Sequence, residues 1–282
     1  MSDDVPQRGA SRTALGVSAI RALHQTLDGE PKILDDRIAA RLLGSDAHPQ
    51  IKAHRERAGE PAEINLRARV LLRSRYSEER LAEAVARGVR QCVILGAGFD
   101  TFAYRQPELA KPLRIFEVDH RATQSEKRRR LEAAGIAIPD NVEFVDIDFE
   151  TVSLREGLKR STLDFSAPTF FSCLGVLVYL TRQAAQAVFQ LVATFPAGSE
   201  IVFTYAASGS LDSATAKRVR AAGEPWQTQF EPKALENDLI ALGFSTVSVL
   251  SAEQAARDYF RDRDDNLKAP ERTGIATALV GA

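Results

Sequence analysis

From Gln91 onward, short β-type runs alternate with helical stretches, and this alternation leaves the chain few folds to choose from. The runs are 91–96 (QCVILG), 113–118 (LRIFEV), 142–147 (VEFVDI), 169–176 (TFFSCLGV) and 199–205 (SEIVFTY). Helical patterns fall between them, near 101–110, 121–134, 151–159 and 182–194. Apolar strands joined by helical crossovers build βαβ units, hence a parallel sheet covered on both faces. The tail adds a helix in PKALENDLIALGF, a strand in STVSVL, a polar helical insert at 252–268 and a strand in GIATALV. The last two strands could pair as an antiparallel hairpin on the sheet edge.

No strand pattern precedes residue 91. The first ten residues read as a loose arm, and residues 11–88 as helix after helix. SRTALGVSAIRALHQTL carries a Ser cap, DDRIAARLLG stops at a glycine, and EPAEINLRARVLLRSRYSEERLAEAVARG has Pro61 near its start and Gly88 at its end. The expected architecture is α/β: a doubly wound, mostly parallel, Rossmann-like sheet at 91–282, with an N-terminal helical arm and cap at 1–90. A length of 282 residues suits one large domain or a domain with an appendage.

Composition narrows the function. A formal net charge of −1 gives no basic excess to draw in nucleic acid or anionic lipid. The one dense basic cluster, Lys127 to Arg130, lies in RATQSEKRRRLEAAG and reads as a solvated helix face. Cys92 and Cys173 sit in apolar runs, which favours buried free thiols over a disulfide. The four histidines show no metal-ligand spacing, so no metal is expected. The N-terminus lacks a signal-peptide core and no apolar run approaches ~18 residues, so neither export nor membrane insertion is expected; a cytoplasmic location is.

The chemistry centres on VILGAGFDTFAYR. A strand ending in Gly96-Ala97-Gly98 opens the backbone to a ligand that a Cβ would block. The next strand ends at Asp119, 21 residues past Gly98, where an acid meets ribose hydroxyls in dinucleotide folds. A cap on the helix that follows is the lesser alternative for Asp119. A dinucleotide fingerprint needs a glycine where Thr101 stands, and Asp100 puts negative charge where a pyrophosphate would lie. A cofactor with a ribose but no phosphate suits this turn better, and S-adenosylmethionine is one.

Taken together, VILGAGFDTFAYR, FEVDH, NVEFVDIDFE and LGVLVYLT, with RSRYSEERL upstream and GEPWQTQFEPKALENDLIALGF downstream, resemble the leucine carboxyl methyltransferase-like family of class I S-adenosylmethionine-dependent methyltransferases. The closer likeness is to its bacterial branch of O-methyltransferases, over about residues 11–250. The resemblance implies a seven-stranded sheet with a reversed last strand and an N-terminal helical cap. It implies that Gly96 and Gly98 line the cofactor site, that Asp119 holds the ribose, and that Asp148 accepts from the adenine amino group beside the Phe149 backbone. Asp146, two residues from Asp148, competes for that role. The resemblance also implies an arginine that clamps the carboxylate of the cofactor tail, and the register of RSRY favours Arg75 over Arg73; a surface helix paired with Glu78 and Glu79 is the alternative. Tyr179 would lie near the cofactor tail or the acceptor, or else be a core aromatic. Leu174 is a departure, since many relatives carry glutamate there.

Methyl transfer from a sulfonium to a carboxylate needs alignment and water exclusion but no general base, in keeping with a chain that shows no catalytic His or Cys constellation. The expected activity is therefore O-methylation of a small molecule, on a carboxylate in preference to a hydroxyl. The helical cap would pack over the carboxyl ends of the strands and close the acceptor pocket. An NAD(P)-dependent oxidoreductase and a non-catalytic S-adenosylmethionine-binding regulatory protein are the alternatives.

Overall fold

A computed structural model of the chain describes residues 10–44, 47–209 and 226–281. The expected N-terminal arm, apart from Ala10, and the Gly-Glu-Pro that opens the GEPWQTQF motif lie outside these residues. Four helices come first: α1 (Arg12–Leu27), α2 (Arg37–Leu43), α3 (Ala47–Glu56) and α4 (Pro61–Ala86). Strands β1 (Gln91–Leu95), β2 (Arg114–Asp119), β3 (Val142–Asp146), β4 (Thr169–Cys173) and β5 (Glu200–Thr204) then alternate with helices. The first crossover is not one helix but two short ones, α5 (Phe102–Arg105) and α6 (Pro107–Ala110), because Pro107 cannot continue a helix begun before it. The others are α7 (Arg121–Ala133), α8 (Leu154–Leu158) and α9 (Arg182–Val192). The helix Pro232–Ala241, strand β6 (Phe244–Val249), the helix Ala252–Tyr259 and strand β7 (Ile275–Val280) complete the chain.

The sheet order is β3-β2-β1-β4-β5-β7-β6. All pairings are parallel except those of β7, which runs antiparallel to both β5 and β6. The closing hairpin sits on the sheet edge beyond β5, as expected, with its second strand, β7, innermost and β6 at the edge. Alternation within β1 shows how the two faces are filled. Val93 and Leu95 join Phe116, Phe171, Phe203 and the α9 residues Val188 and Phe189 on one side. Cys92 and Ile94 join Phe170, Val202, Ile275 and the α4 residues Leu71 and Leu72 on the other. Both cysteines are buried free thiols.

The α4 helix connects the N-terminal helices to this core. Its 26 residues span roughly 39 Å, whereas a five-residue strand spans roughly 17 Å. Its C-terminal end is fixed at the start of the strands. There Arg80 and Arg87 both reach the buried carboxylate of Glu200, the first residue of β5, at 2.7 and 2.5 Å. The surplus length must then project past the opposite, carboxyl ends of the strands. Leu71 and Leu72 are fully buried against the sheet, each contributing about 1.5–3 kcal/mol of burial. The cap thus shares one apolar core with the sheet.

The basic cluster departs from a solvated face. Lys127 and Arg130 lie three residues apart on the inner side of α7. Lys127 is 1% exposed and donates to the equally buried Glu117 at 2.5 Å, while Arg130 donates to the Leu43 carbonyl at 2.6 Å. Arg128 and Arg129 point outward. Helical periodicity sends a run of four like charges in both directions, and the buried ones persist because they have partners.

Candidate functional site

The strand order reverses between β1 and β4, and a cavity of about 490 Å³ opens there beyond the carboxyl ends of the strands. One wall is the projecting part of α4. Ala62, Asn65, Leu66, Arg69, Val70 and Arg73 face the cavity with the 3- and 4-residue spacing of a single helix face. Ala14, Val17 and Arg21 of α1 form the roof over the glycine turn. The cap therefore stands over the carboxyl ends of the strands and lines the cavity, in the position expected of it.

The glycine turn is held from three directions. Gly96 and Gly98 have φ of +65° and +51°, the left-handed region that glycine enters at no steric cost. A Cβ on Gly96 would stand 2.3 Å from Val176 Cγ2, and one on Gly98 would stand 3.0 Å from the Ala14 Cβ. Gly98 N–H donates to Asp119 Oδ2 at 2.6 Å, and His120 N–H donates to Asp119 Oδ1 at 2.7 Å. Burial raises the Asp119 pKa, with these two donated hydrogen bonds opposing the shift. Asp119 is not the cap of α7: His120 is, its Nδ1 accepting from the Ala122 N–H at 3.2 Å. The carboxylate is thereby left at the cavity wall, where ribose hydroxyls could donate to it.

Thr101, at the position of the missing third glycine, is fully buried and donates to Asp36 Oδ2 at 2.7 Å. Asp36 also caps α2 and lies 3.3 Å from Arg21 Nε. Arg21 in turn donates to the Phe99 carbonyl. Where a dinucleotide site needs glycine for close helix–strand packing, this chain uses a side chain that ties the turn to the cap.

Asp148, Phe149 and Glu150 line the cavity, whereas Asp146 is exposed at the end of β3 and does not. The competition between the two aspartates thus favours Asp148. Tyr179, on a single 3₁₀ turn after β4, lines the cavity, as does Leu174. Replacing Asp119 by Ala should weaken S-adenosylhomocysteine binding by about 1–3 kcal/mol, and replacing Asp146 by Ala should change it by much less. Isothermal titration of the two variants checks this, and equal losses would remove Asp119 from the ribose role.

Arg75 is the correction. It lies on the outer side of α4, half exposed, in an i,i+4 ion pair with Glu79 at 2.6 Å. Two residues along a helix turn the side chain by about 200°, so Arg73 and Arg75 cannot face the same way. Arg73 faces the cavity, so close to Gly175 that a Cβ there would stand 2.5 Å from Arg73 Nη1. Gly175 has a φ of +75° and follows β4, on the far side of the turn from Asp119. Burial pushes the Arg73 pKa down to about 10, opposed by Tyr179, and the guanidinium stays charged at neutral pH. Arg73 has no ion-pair partner among the described residues, so a carboxylate from a ligand could take that place.

A family model for leucine carboxyl methyltransferase matches residues 14–193, from the cap through α9. The chain belongs to the leucine carboxyl methyltransferase family. A Bacillus subtilis relative, YktD, named as a candidate S-adenosyl-L-methionine-dependent methyltransferase, is 36% identical over 93% of this chain and 95% of its own length. A Mycobacteroides abscessus relative with the same kind of name is 32% identical over 63% of this chain and 58% of its own. Among solved structures, a candidate methyltransferase from Thermobifida fusca covers all of both chains with a TM-score of 0.62 at 19% identity, a likeness of fold. Membership of the leucine carboxyl methyltransferase family makes this protein an S-adenosylmethionine-dependent methyltransferase. The oxidoreductase and non-catalytic alternatives fall away.

The cavity fits the cofactor of that family part by part. The glycine cradle leaves room that a Cβ would fill, Asp119 and Asp148 offer acceptors, and Arg73 is a cation with no ion pair among the described residues. The sequence register favoured Arg75 over Arg73 and did not single out Arg69 or Trp226, both of which line the cavity. The signal available for the arginines was the i,i+4 spacing of Arg69 and Arg73. No helix among the described residues is long and apolar enough to cross a membrane.

Proposed function

We propose that the protein transfers a methyl group from S-adenosylmethionine to a carboxylate oxygen of a small-molecule acceptor. The observation that carries this reading is how charge is divided across the cavity. The acidic lining residues Asp100, Asp119, Asp148 and Glu150 and the imidazole of His120 all belong to the β1–β3 side. Each of these carboxylates already accepts a backbone N–H, and His120 caps α7. On the side of β4, β5 and β7, the described lining residues are apolar, hydroxyl or amide, with Tyr179, Tyr205 and Trp226; the described carboxylate that reaches this side, Glu150, is engaged with the Thr181 N–H. Burial raises the Tyr205 pKa further from neutrality. Among the described residues an acceptor bound there meets no unengaged carboxylate or imidazole to act as general base, which favours an acceptor oxygen that arrives already a nucleophile, as a carboxylate does at pH 7.

In this reading Gly96 and Gly98 admit the cofactor backbone, Asp119 accepts from the ribose, Asp148 and the Phe149 backbone meet the adenine, and Arg73 clamps the tail carboxylate. When bound, S-adenosylmethionine supplies a methyl on a cationic sulfur: the acceptor oxygen's electron pair forms the new O–C bond as the C–S bond breaks onto sulfur, giving a neutral ester and S-adenosylhomocysteine. The α1 roof and α4 wall hold the acceptor in line and keep water out, which is what such a displacement asks of the protein.

Saturating S-adenosylhomocysteine, at a hundredfold excess over Kd, should stabilise the protein by roughly 2.7 kcal/mol and raise the melting temperature by several degrees. NADH should leave it unmoved. Incubation with labelled S-adenosylmethionine and matched acids, alcohols and phenols should then give alkali-labile methyl esters. Alkali-stable ethers as the main product would overturn the carboxylate assignment.

A further inference from the structure

Among the described residues, two guanidiniums of the cavity make no ion pair, and the cofactor tail has one carboxylate. Arg69 is the second. It lies one helical turn before Arg73 on the same face of α4, and it has no hydrogen bond or ion pair among the described residues. Every other arginine that faces the cavity is accounted for: Arg21 is tied to Phe99 and Asp36, and Arg73 stands at Gly175 beside the glycine turn.

The sheet order separates the two unpaired cations. Gly96, Gly98, Asp119 and Asp148 follow β1, β2 and β3, on one side of the switch point. Arg73 stands over the residue that follows β4, at the switch point itself. Arg69 stands further over, where a Cβ on Gly274, just before β7, would lie 3.4 Å from its Nη2 and 2.6 Å from the Tyr205 carbonyl after β5. Among the described residues, that half of the cavity holds no unengaged carboxylate. Trp226 lines the cavity where its neighbour Gln227 bonds the Val178 carbonyl after β4, and its indole N–H is buried with no hydrogen-bond partner among the described residues. A buried donor left unpaired costs free energy until something accepts from it. A guanidinium and an indole N–H are both donors, and both suit the two oxygens of one carboxylate.

We propose that Arg69, assisted by the Trp226 indole N–H, is the acceptor-binding residue and holds the acceptor's carboxylate. This rests on the carboxylate O-methylation reading and names the group that enforces it. Arg69 would orient the carboxylate while one oxygen remains free to attack. Methylation turns that anion into a neutral ester, so the same contact loses its charge–charge attraction and the product leaves more easily than the substrate entered. Burial also lowers the Arg69 pKa, in line with a cation whose counter-ion comes from a ligand.

The test uses the full-length protein saturated with S-adenosylhomocysteine and a panel of aryl and alkyl carboxylic acids, each matched with its primary amide. Binding is read by melting-temperature shift and then titration. The wild-type complex should bind some acids at least about tenfold tighter than their amides. Arg69→Ala should abolish that preference with S-adenosylhomocysteine affinity changed less than about threefold, and Arg69→Lys should restore part of it. Trp226→Phe should weaken acid binding by a smaller factor. A wild-type complex that shows no acid preference, an Arg69→Ala complex that keeps it, or an Arg69→Ala protein that loses S-adenosylhomocysteine as Arg73→Ala does would each overturn the assignment. Failure of wild-type protein to bind S-adenosylhomocysteine would instead count against the cofactor site, and the inference would fall with it.

Discussion

Replacing Arg73 by Ala should weaken S-adenosylhomocysteine binding by about 2–5 kcal/mol while leaving the fold intact. The guanidinium faces a cavity, makes no ion pair among the described residues and holds no element in place, so its loss removes a ligand contact and little else. Its removal should not cost the protein stability, because burial disfavours its charged form and outweighs the opposing attraction of Tyr179 and Asp100. The melting temperature without ligand should therefore hold or rise, and the ligand-induced shift should collapse. Arg75→Ala is the matched control. It breaks an exposed i,i+4 pair worth about 0.3–0.5 kcal/mol and should leave ligand affinity unchanged. Titration of both variants decides the matter: a loss of affinity in Arg75→Ala with none in Arg73→Ala would restore the residue that the sequence register favoured.

The second large effect concerns stability. Asp36→Ala should destabilise the protein by about 3–5 kcal/mol. Asp36 is fully buried, and three helices, α1, α2 and α5 with its N-cap Thr101, meet at its carboxylate. Its Oδ1 accepts from the Ala39 N–H at the start of α2, and its Oδ2 accepts from Thr101. Arg21 of α1 stands 3.3 Å away and Arg105 of α5 stands 4.0 Å away. Alanine would remove a helix cap, leave the Thr101 hydroxyl unpaired in the interior and strip Arg21 of its nearest counter-charge. Arg105 would keep Glu78. Asp36→Asn preserves shape and capping and should lose less. Asp35→Ala, at an exposed neighbour, should stay within about 0.5 kcal/mol. Urea unfolding of the three variants reads these directly; an Asp36→Ala protein as stable as Asp35→Ala would mean that the cap is not anchored through this carboxylate. Because Arg21 also donates to the Phe99 carbonyl, loosening this joint should weaken S-adenosylhomocysteine binding too, without any change at a ligand contact.

What the sequence determined by itself was the local pattern and its order. Strand runs such as QCVIL and TFFSC are apolar on both faces, and a strand buried on both sides must sit inside a covered parallel sheet. The glycine turn, Asp119 and Asp148 were legible for the same reason: each lies at the carboxyl end of a strand, and strand ends in this topology gather at one edge. The tertiary structure alone decided three things. It set which arginine of RSRY points inward, because a two-residue difference on a helix reverses direction and only the packing of Leu71 and Leu72 on the sheet fixes the rotation of α4. It set the order within the closing hairpin, with β7 rather than β6 beside β5, which two adjacent strand patterns cannot decide. And it brought Arg69, Thr273 and Trp226 to one cavity, from segments about 50 to 200 residues apart along the chain. Strand and helix patterns come from interactions over a few residues, so a sequence carries them openly; a binding site of this kind exists only where distant segments meet, and the packing of the core determines where that is.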